Sequence, residues 1–327
     1  MAVVIVGAGI AGLACARELT DAGVAVRVLE RGRVVGGRLA SKRFGGRPAD
    51  IGAAYLTADH PAFVTVVERW RAAGLARPWL DTMLAYDGGA PPRRTAGPMR
   101  WAAPGGLRSL AEELATGLDV ALQHPVAAVG PGPTVDGRPA DAVVLAMPGP
   151  QALRLLHPDL ARSAAAARAQ SYAPVLSAVL TYPERGWADF GGAFVNDHPV
   201  LTTVCDDGDR RGDRAPVLVA HSTAAFAGRH LDDPDAAGPD LERAVRDLLA
   251  LPASADTVHV HRWTFAQPQA QAQAQAQADA YSAGGDASFH EAGGIMLAGD
   301  AFGRPRVQTA WLSGRAAGRT LAARLTA

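Results

Sequence analysis

The stretch that decides the fold is Ala2–Arg38, AVVIVGAGIAGLACARELTDAGVAVRVLERGRVVGGR. Ala2–Val6 is a nearly continuous apolar run, the pattern of a short strand buried on both faces. The glycine loop Gly7-Ala8-Gly9-Ile10-Ala11-Gly12 follows, then a helical stretch, Leu13–Ala22, closed by Gly23. A second β-branched run, Val24–Leu29, ends on Glu30. Strand, loop, helix and strand in about thirty residues make one βαβ crossover. Gly7, Gly9 and Gly12 fit G-x-G-x-x-G: the first allows the tight turn, the second lets the backbone approach a pyrophosphate, and the third lets helix and strand pack closely. The helix start offers unpaired N–H groups and a partial positive charge to phosphates. Glu30 ends the second strand, where a carboxylate accepts from adenosine ribose hydroxyls and repels a 2′-phosphate. An adenine dinucleotide site is the expectation.

FAD and NAD share this half-site, so other residues must separate them. Gly36-Gly37-Arg38 soon follows Glu30, and beside a dinucleotide Arg38 is placed for a charge-assisted contact to the pyrophosphate. Near the other end, Gly299-Asp300 follows the apolar run Ile295–Ala298, with Asp300 suited to ribitol hydroxyls. A last helix over Gln308–Arg324 then begins beside the flavin.

Between these ends, helical spacing covers Pro61–Ala76, Leu107–Leu118 and Asp240–Leu251. Strands are expected over Asp119–Val129, Ala142–Ala146, Val175–Leu180, Val217–Ala220, Val258–Trp263 and Gly294–Leu297, with short antiparallel strands within Thr82–Met99. Gln267–Ala278 alternates Gln and Ala, a surface loop or irregular helix. The acidic group Asp206, Asp207 and Asp209 beside Arg210 and Arg211 reads as a solvated loop.

Composition bounds the function. Apolar residues at 48% and charged residues at 20% are those of an ordinary globular protein. The formal charge is zero, so a global basic footprint for nucleic acid is missing. No run of eighteen apolar residues is free of charge, so no membrane span is expected. Two cysteines, Cys15 and Cys205, make no disulfide framework, which fits a cytoplasmic protein. Cys15 falls inside the first helix, as a packing residue. His259 and His261 would share a strand face, but no third ligand is spaced for a metal, and none is expected.

Taken together the glycine loop, Glu30, Gly37-Arg38, Asp50-Ile51-Gly52-Ala53, Pro104-Gly105-Gly106-Leu107, Val143–Pro148, His261-Arg262-Trp263, Leu297–Asp300 and Gln308–Gly318 resemble the amine-oxidase-like flavoproteins of the p-hydroxybenzoate-hydroxylase fold. Within that group the chain looks most like the short bacterial renalase-type enzymes, on its length and on His-Arg-Trp and Trp311-Leu312-Ser313-Gly314. The Gln-Ala tract is a departure from that pattern, placed where the substrate domain returns to the FAD domain.

The resemblance implies an α/β fold: a Rossmann-like FAD/NAD(P)-binding domain from residues 1–60, 98–157 and 294–327, interwoven with an α+β substrate domain from 61–97 and 158–293 that holds a mixed antiparallel sheet. Its expected FAD contacts are Gly7, Gly9, Ala11, Gly12, Glu30, Arg31, Gly37, Arg38, Asp50, Gly52, Val126, Gly299, Asp300 and Gln308. No cysteine lies near the C-terminal flavin motif, so FAD is expected to be non-covalent.

The activity implied is oxidation of dihydropyridine isomers of NAD(P)H, with hydride passing to flavin N5 and O2 giving hydrogen peroxide. Trp263 and Trp311 are the candidate pocket walls, and Arg262 the group orienting a charged part of the substrate. A dihydropyridine becomes aromatic as hydride leaves, so orientation matters and a base does not. Two other readings stay open. One is an FAD amine oxidase or desaturase, for which Lys42, the only lysine, is the sole candidate to hold a catalytic water. The other is a flavin- or nucleotide-binding protein without turnover.

Overall fold

β1 (Val3–Val6) and β2 (Val26–Leu29) lie parallel in register, Val3 opposite Val26 and Val6 opposite Leu29, with α1 (Ile10–Asp21) crossing between them. The computed structural model describes residues 2–88, 91–269 and 289–327. β1 is central to a six-stranded sheet ordered β17-β18-β11-β1-β2-β7, completed by β7 (Val120–Ala121), β11 (Val143–Leu145), β17 (His290–Ala292) and β18 (Ile295–Leu297). All its pairs are parallel except β17 with β18. Strands buried on both faces read as continuous apolar runs, as β1, β11 and β18 do.

The second large sheet has seven strands in the order β16-β12-β15-β14-β13-β5-β6. They are β5 (Arg77–Asp87), β6 (Arg93–Ala102), β12 (Ser171–Thr181), β13 (Gly192–Asn196), β14 (Leu201–Asp206), β15 (Val217–Ser222) and β16 (Thr257–Gln269). Only β13 with β5 is parallel. Two small sheets complete the strands: the hairpin β3 (Ser41–Phe44) and β4 (Arg47–Asp50), and the meander β8 (Val129–Gly130), β9 (Thr134–Val135) and β10 (Arg138–Pro139). One face of the seven-stranded sheet carries Leu176, Ala178, Val204, Ala220 and Val260 into a core with α7 (Ala224–Arg229) and α8 (Gly238–Leu249). Mixed α/β architecture with a Rossmann-like sheet is what the sequence implied.

α1 buries eight of its residues, most of them small. The C-terminal helix (Val307–Leu325) presses onto this small face: a Cβ on Gly314 would stand 1.9 Å from the Ala11 carbonyl oxygen, and one on Gly318 2.7 Å from that of Cys15. Cys15 itself is fully buried, as expected of a packing residue.

Three expectations are corrected. Asp119–Val129 is not one strand, because Gln123 takes φ 53° and Pro125 has no N–H to give a ladder; only Val120–Ala121 and Val129–Gly130 pair. Residues 61 onward were expected with the second unit, yet α2 (Pro61–Ala72) packs Phe63, Val66, Val67 and Trp70 into the core of α1, α3 (Arg108–Ala115) and the C-terminal helix. The acidic–basic group at 206–211 is no solvated loop: it forms the short helix α6 (Asp207–Arg211), with Asp206, Asp207 and Arg210 fully buried. Within the Gln-Ala tract, residues 267–269 end β16, and 270–278 lie outside the described residues. Among the described residues no helix is long and apolar enough to cross a membrane.

Candidate functional site

The glycine loop divides its three jobs as its spacing requires. Gly7 has φ +107°, and a Cβ there would stand 2.6 Å from the Ala146 carbonyl on the neighbouring loop. A Cβ on Gly12 would stand 2.0 Å from the Gly7 carbonyl. Gly9, at the N-cap of α1, has nothing within 4 Å of its Cβ position, so the space above it is open for a ligand. Glu30 turns back to this loop, accepting from the amides of Ala8 (2.9 Å) and Gly32 (2.7 Å). Its carboxylate is thereby fixed beside the helix start. Arg31 is exposed next to it, and half-buried Val126 follows the 121–124 segment whose backbone bonds Glu30 and Gly32.

The two distant flavin motifs meet. Arg38 donates to Asp300 through both terminal nitrogens, at 2.8 and 2.5 Å, and to the Ala266 carbonyl at 2.9 Å. Its guanidinium lies 5.7 Å from the Tyr172 ring centroid. Gly37 touches Gly9, a Cβ there falling 3.4 Å from the Gly9 Cα. Gly52 sits under Arg38, where a Cβ would lie 2.1 Å from its carbonyl oxygen. Gly299 donates to Ser313 Oγ at 3.0 Å and also has open space at its Cβ position. The C-terminal helix starts here with no side chain capping its amides, which leaves its positive end free for an anionic partner.

Opposite this half stands the second face of the seven-stranded sheet. Side chains alternate along a strand, so directly paired residues share a face. His261, Ser177, His221, Thr203 and Phe194 form one row across β16, β12, β15, β14 and β13. Trp263 shares the face and donates its indole N–H to the Ile51 carbonyl at 2.6 Å. His221 is held against the Gly52 backbone; burial, with Arg210 nearby, pushes its ring down to about 4, so it is neutral at pH 7. His261 is also pushed down, by burial first and then by His259 and Lys42. Ser177 Oγ is buried with no hydrogen-bond partner among the described residues.

Several expected site residues lie elsewhere. Arg262 points from the other face of β16, is exposed, and donates to the Leu231 carbonyl. One step along a strand reverses the side chain, so Arg262 cannot share a pocket with Trp263. Trp311 is core, 6% exposed and 5.4 Å from the Phe63 ring. Asp50 is fully buried, accepting from Ser41 Oγ and the Leu107 amide and facing Arg211 at 3.0 Å; its side chain is not turned to the nucleotide. The Gln308 side chain holds Asp59 and His60 by their amides, which leaves the helix backbone for any ligand. Ala11 is buried under Gly314. Lys42 is exposed, its Nζ 2.9 Å from His259 Nε2. Among the described residues no cluster of three metal-ligating side chains occurs.

His221, Ser177, Tyr172 and the Phe194 row escaped the sequence reading. Strand alternation carried out from His261 would have fixed the face, but the pairing partners follow only from the sheet order.

An open glycine loop, a carboxylate at the end of β2 and an Arg–Asp pair joining distant segments frame a candidate nucleotide site. Residues 5–70 match the NAD(P)-binding Rossmann-like domain, and residues 73–322 match the flavin containing amine oxidoreductase model. The chain belongs to the flavin-containing amine oxidoreductase family. AofH of Mycobacterium tuberculosis, which carries the name of a flavin-containing monoamine oxidase, is 54% identical over 54 residues, 16% of this chain and 12% of its own length. Curated relatives are thus matched over short segments only. The fold matches cyclohexylamine oxidase from Brevibacterium oxydans IH-35A at TM-score 0.77 and 16% identity, covering 100% of this chain and 99% of that one. Putrescine oxidase bound to putrescine matches at TM-score 0.71 and 17% identity, covering 99% and 98%.

FAD fits the residues present. The free space over Gly9 and Gly299 is room that a Cβ would fill, Glu30 offers acceptors to ribose hydroxyls, and the uncapped start of the final helix offers positive charge to an anionic group.

Proposed function

We propose that this chain is a renalase-like oxidase of dihydropyridine isomers of NAD(P)H. The observation that carries this reading is the composition of the sheet face opposite the nucleotide half: His261, Ser177, His221, Thr203, Phe194 and Trp263, with neither lysine nor carboxylate among them. A substrate whose own ring nitrogen supplies the electrons, and whose product is aromatic, needs no group to take a proton from it. Bound FAD supplies a two-electron acceptor that takes hydride and passes the electrons to O2, releasing hydrogen peroxide.

The chain's own residues then bind, orient and exclude water. Glu30 and the amides after Gly9 hold the adenosine and diphosphate, with Arg38 beside them. The uncapped first turn of the C-terminal helix would face a bound flavin with its positive end and would stabilise negative charge there. Trp263, fixed by Ile51, is a rigid flat wall, and neutral His221 offers a hydrogen bond without a charge. The row from His261 to Phe194 holds a planar ring in one plane. On this reading FAD is held without a cysteinyl bond, because neither Cys15 nor Cys205 lies near the C-terminal motif around Gly299-Asp300.

A second reading is oxidation of a primary or secondary amine, favoured by the amine oxidases among its relatives. Anaerobic stopped-flow flavin reduction separates the two, with NADH, NADPH, their 2- and 6-dihydro isomers and simple amines. The dihydropyridine isomers are expected to reduce the flavin at least a hundredfold faster than amines. Fast reduction by amines alone overturns the first reading for the second.

A further inference from the structure

Among the described residues three arginines are buried, and two of them are paired: Arg210 and Arg211 lie against Asp207 and Asp50. The third is not. Arg100, on β6, is 5% exposed, and among the described residues no carboxylate stands within ion-pair distance of it. Two rings flank its guanidinium, Tyr55 at 5.3 Å and Phe194 at 5.5 Å from their centroids. The Tyr55 hydroxyl interacts with it, and one nitrogen donates to the Asp81 carbonyl at 3.1 Å. Aromatic faces and a carbonyl offset part of the cost of burying the charge, but they leave donors of the guanidinium fork without an anion.

The position matters. Phe194 ends the row that runs through Thr203 to His221, two strands away, a span of roughly 10 Å at ordinary strand spacing. Tyr55 continues the segment Ile51–Gly52 that Trp263 and His221 hold. Arg100 therefore stands beyond one end of that row, buried and, among the described residues, short of a carboxylate partner.

We propose that Arg100, with the Tyr55 hydroxyl as a second donor, anchors an anionic group of the substrate, a carboxylate or a phosphate, at the far end of that row from His221. The inference rests on reading that sheet face as the substrate site. It selects substrates that carry both the oxidisable C–H and a negative charge, as a dihydronicotinamide nucleotide does, and disfavours simple monoamines. An anion entering a desolvated site gains more from a planar fork than it does in water.

The test reads binding rather than turnover. The FAD-loaded protein is titrated calorimetrically with benzoate, phenyl phosphate and neutral benzyl alcohol, for wild type, Arg100→Gln and Arg100→Lys. Wild type is expected to bind at least one of the two anions ten times or more tightly than benzyl alcohol. The preferred anion tells carboxylate from phosphate. The preference should fall below threefold in Arg100→Gln and recover in part in Arg100→Lys. Equal binding of all three by wild type overturns the proposal, even if no variant folds. So does a preference that survives in Arg100→Gln with FAD content and Tm unchanged. An anion preference lost with Arg100, alongside a flavin that no dihydropyridine reduces, would leave this inference standing while the proposed activity fails.

Discussion

Arg38 and Asp300, from opposite ends of the chain, meet as a two-pronged ion pair, Nη1 to Oδ2 at 2.8 Å and Nη2 to Oδ1 at 2.5 Å. The pair ties the turn after β2 to the loop after β18, and both members were expected at the flavin. Asp300→Asn weakens one prong and leaves Arg38 partly unpaired. FAD affinity is expected to fall at least tenfold, and stability without FAD by about 1–2 kcal/mol. Calorimetric FAD titration and urea unfolding measure the two separately.

The loop glycines predict two different failures. Gly9 has φ −75° and free space, so Gly9→Ala should fold with an unchanged Tm yet lose FAD, because the methyl occupies the ligand's place. Gly12→Ala drives a Cβ into the Gly7 carbonyl and should cost about 2 kcal/mol or more of stability whether or not FAD is present. Thermal melts of both, with and without added FAD, test the distinction. Equal melts for the two variants would contradict it.

Glu30→Ala removes the acceptor of the Ala8 and Gly32 amides as well as the ribose contact. FAD retention on a desalting column should drop, while the flavin reduction rate of the fraction still loaded stays within about threefold of wild type. An unchanged retention removes Glu30 from the ribose.

His221 predicts an acid-side weakness. Its folded-state pKa, about 4, lies below the ordinary 6.5, so the unfolded chain binds the extra proton between these values. Stability from this residue is complete above pH 6.5 and is lost as pH falls toward 4, by on the order of 2 kcal/mol. Urea unfolding from pH 7 to 4.5 should show the fall, and His221→Asn should flatten it.

Asp207 is buried between Arg210, Arg211 and Arg47, the last at 2.6 Å. Burial by itself would raise its carboxyl, and the three guanidinium groups more than offset that, holding it below the usual range. Asp207→Asn leaves buried cations uncompensated and should cost about 3–5 kcal/mol. Replacing Asp213, the more exposed partner of Arg47, should cost under about 1 kcal/mol. Comparing the two by urea unfolding tests whether burial sets the difference.

The βαβ crossover was readable because local pattern determines it: Gly7 and Gly12 act through backbone geometry, and the Glu30 carboxylate reaches back to the Ala8 amide. Arg38 and Asp300 were readable one at a time, each beside its own glycine, although nothing in the order of residues said they would touch. The buried charge cluster was misread because Asp207, Arg210 and Arg211 look like a surface run, and their partners Asp50 and Arg47 come from a distant hairpin. Trp311 and Arg262 failed for different reasons. An aromatic residue on a helix fits a core as well as a pocket, and one position along β16 decides which side of the sheet Arg262 joins. Arg100 gave no signal at all, since a buried cation is recognised by the partners it lacks.

Gly314 and Gly318 fit so closely against α1 that the first helix has no finished surface until the last one arrives. During synthesis, the loop of Gly7 to Gly12 must wait for the distant helix Val307–Leu325 before its supporting helix is covered. Assembly of the candidate cofactor site therefore follows synthesis of that helix, and a chain stalled before Gly314 would leave the small-residue face of α1 uncovered.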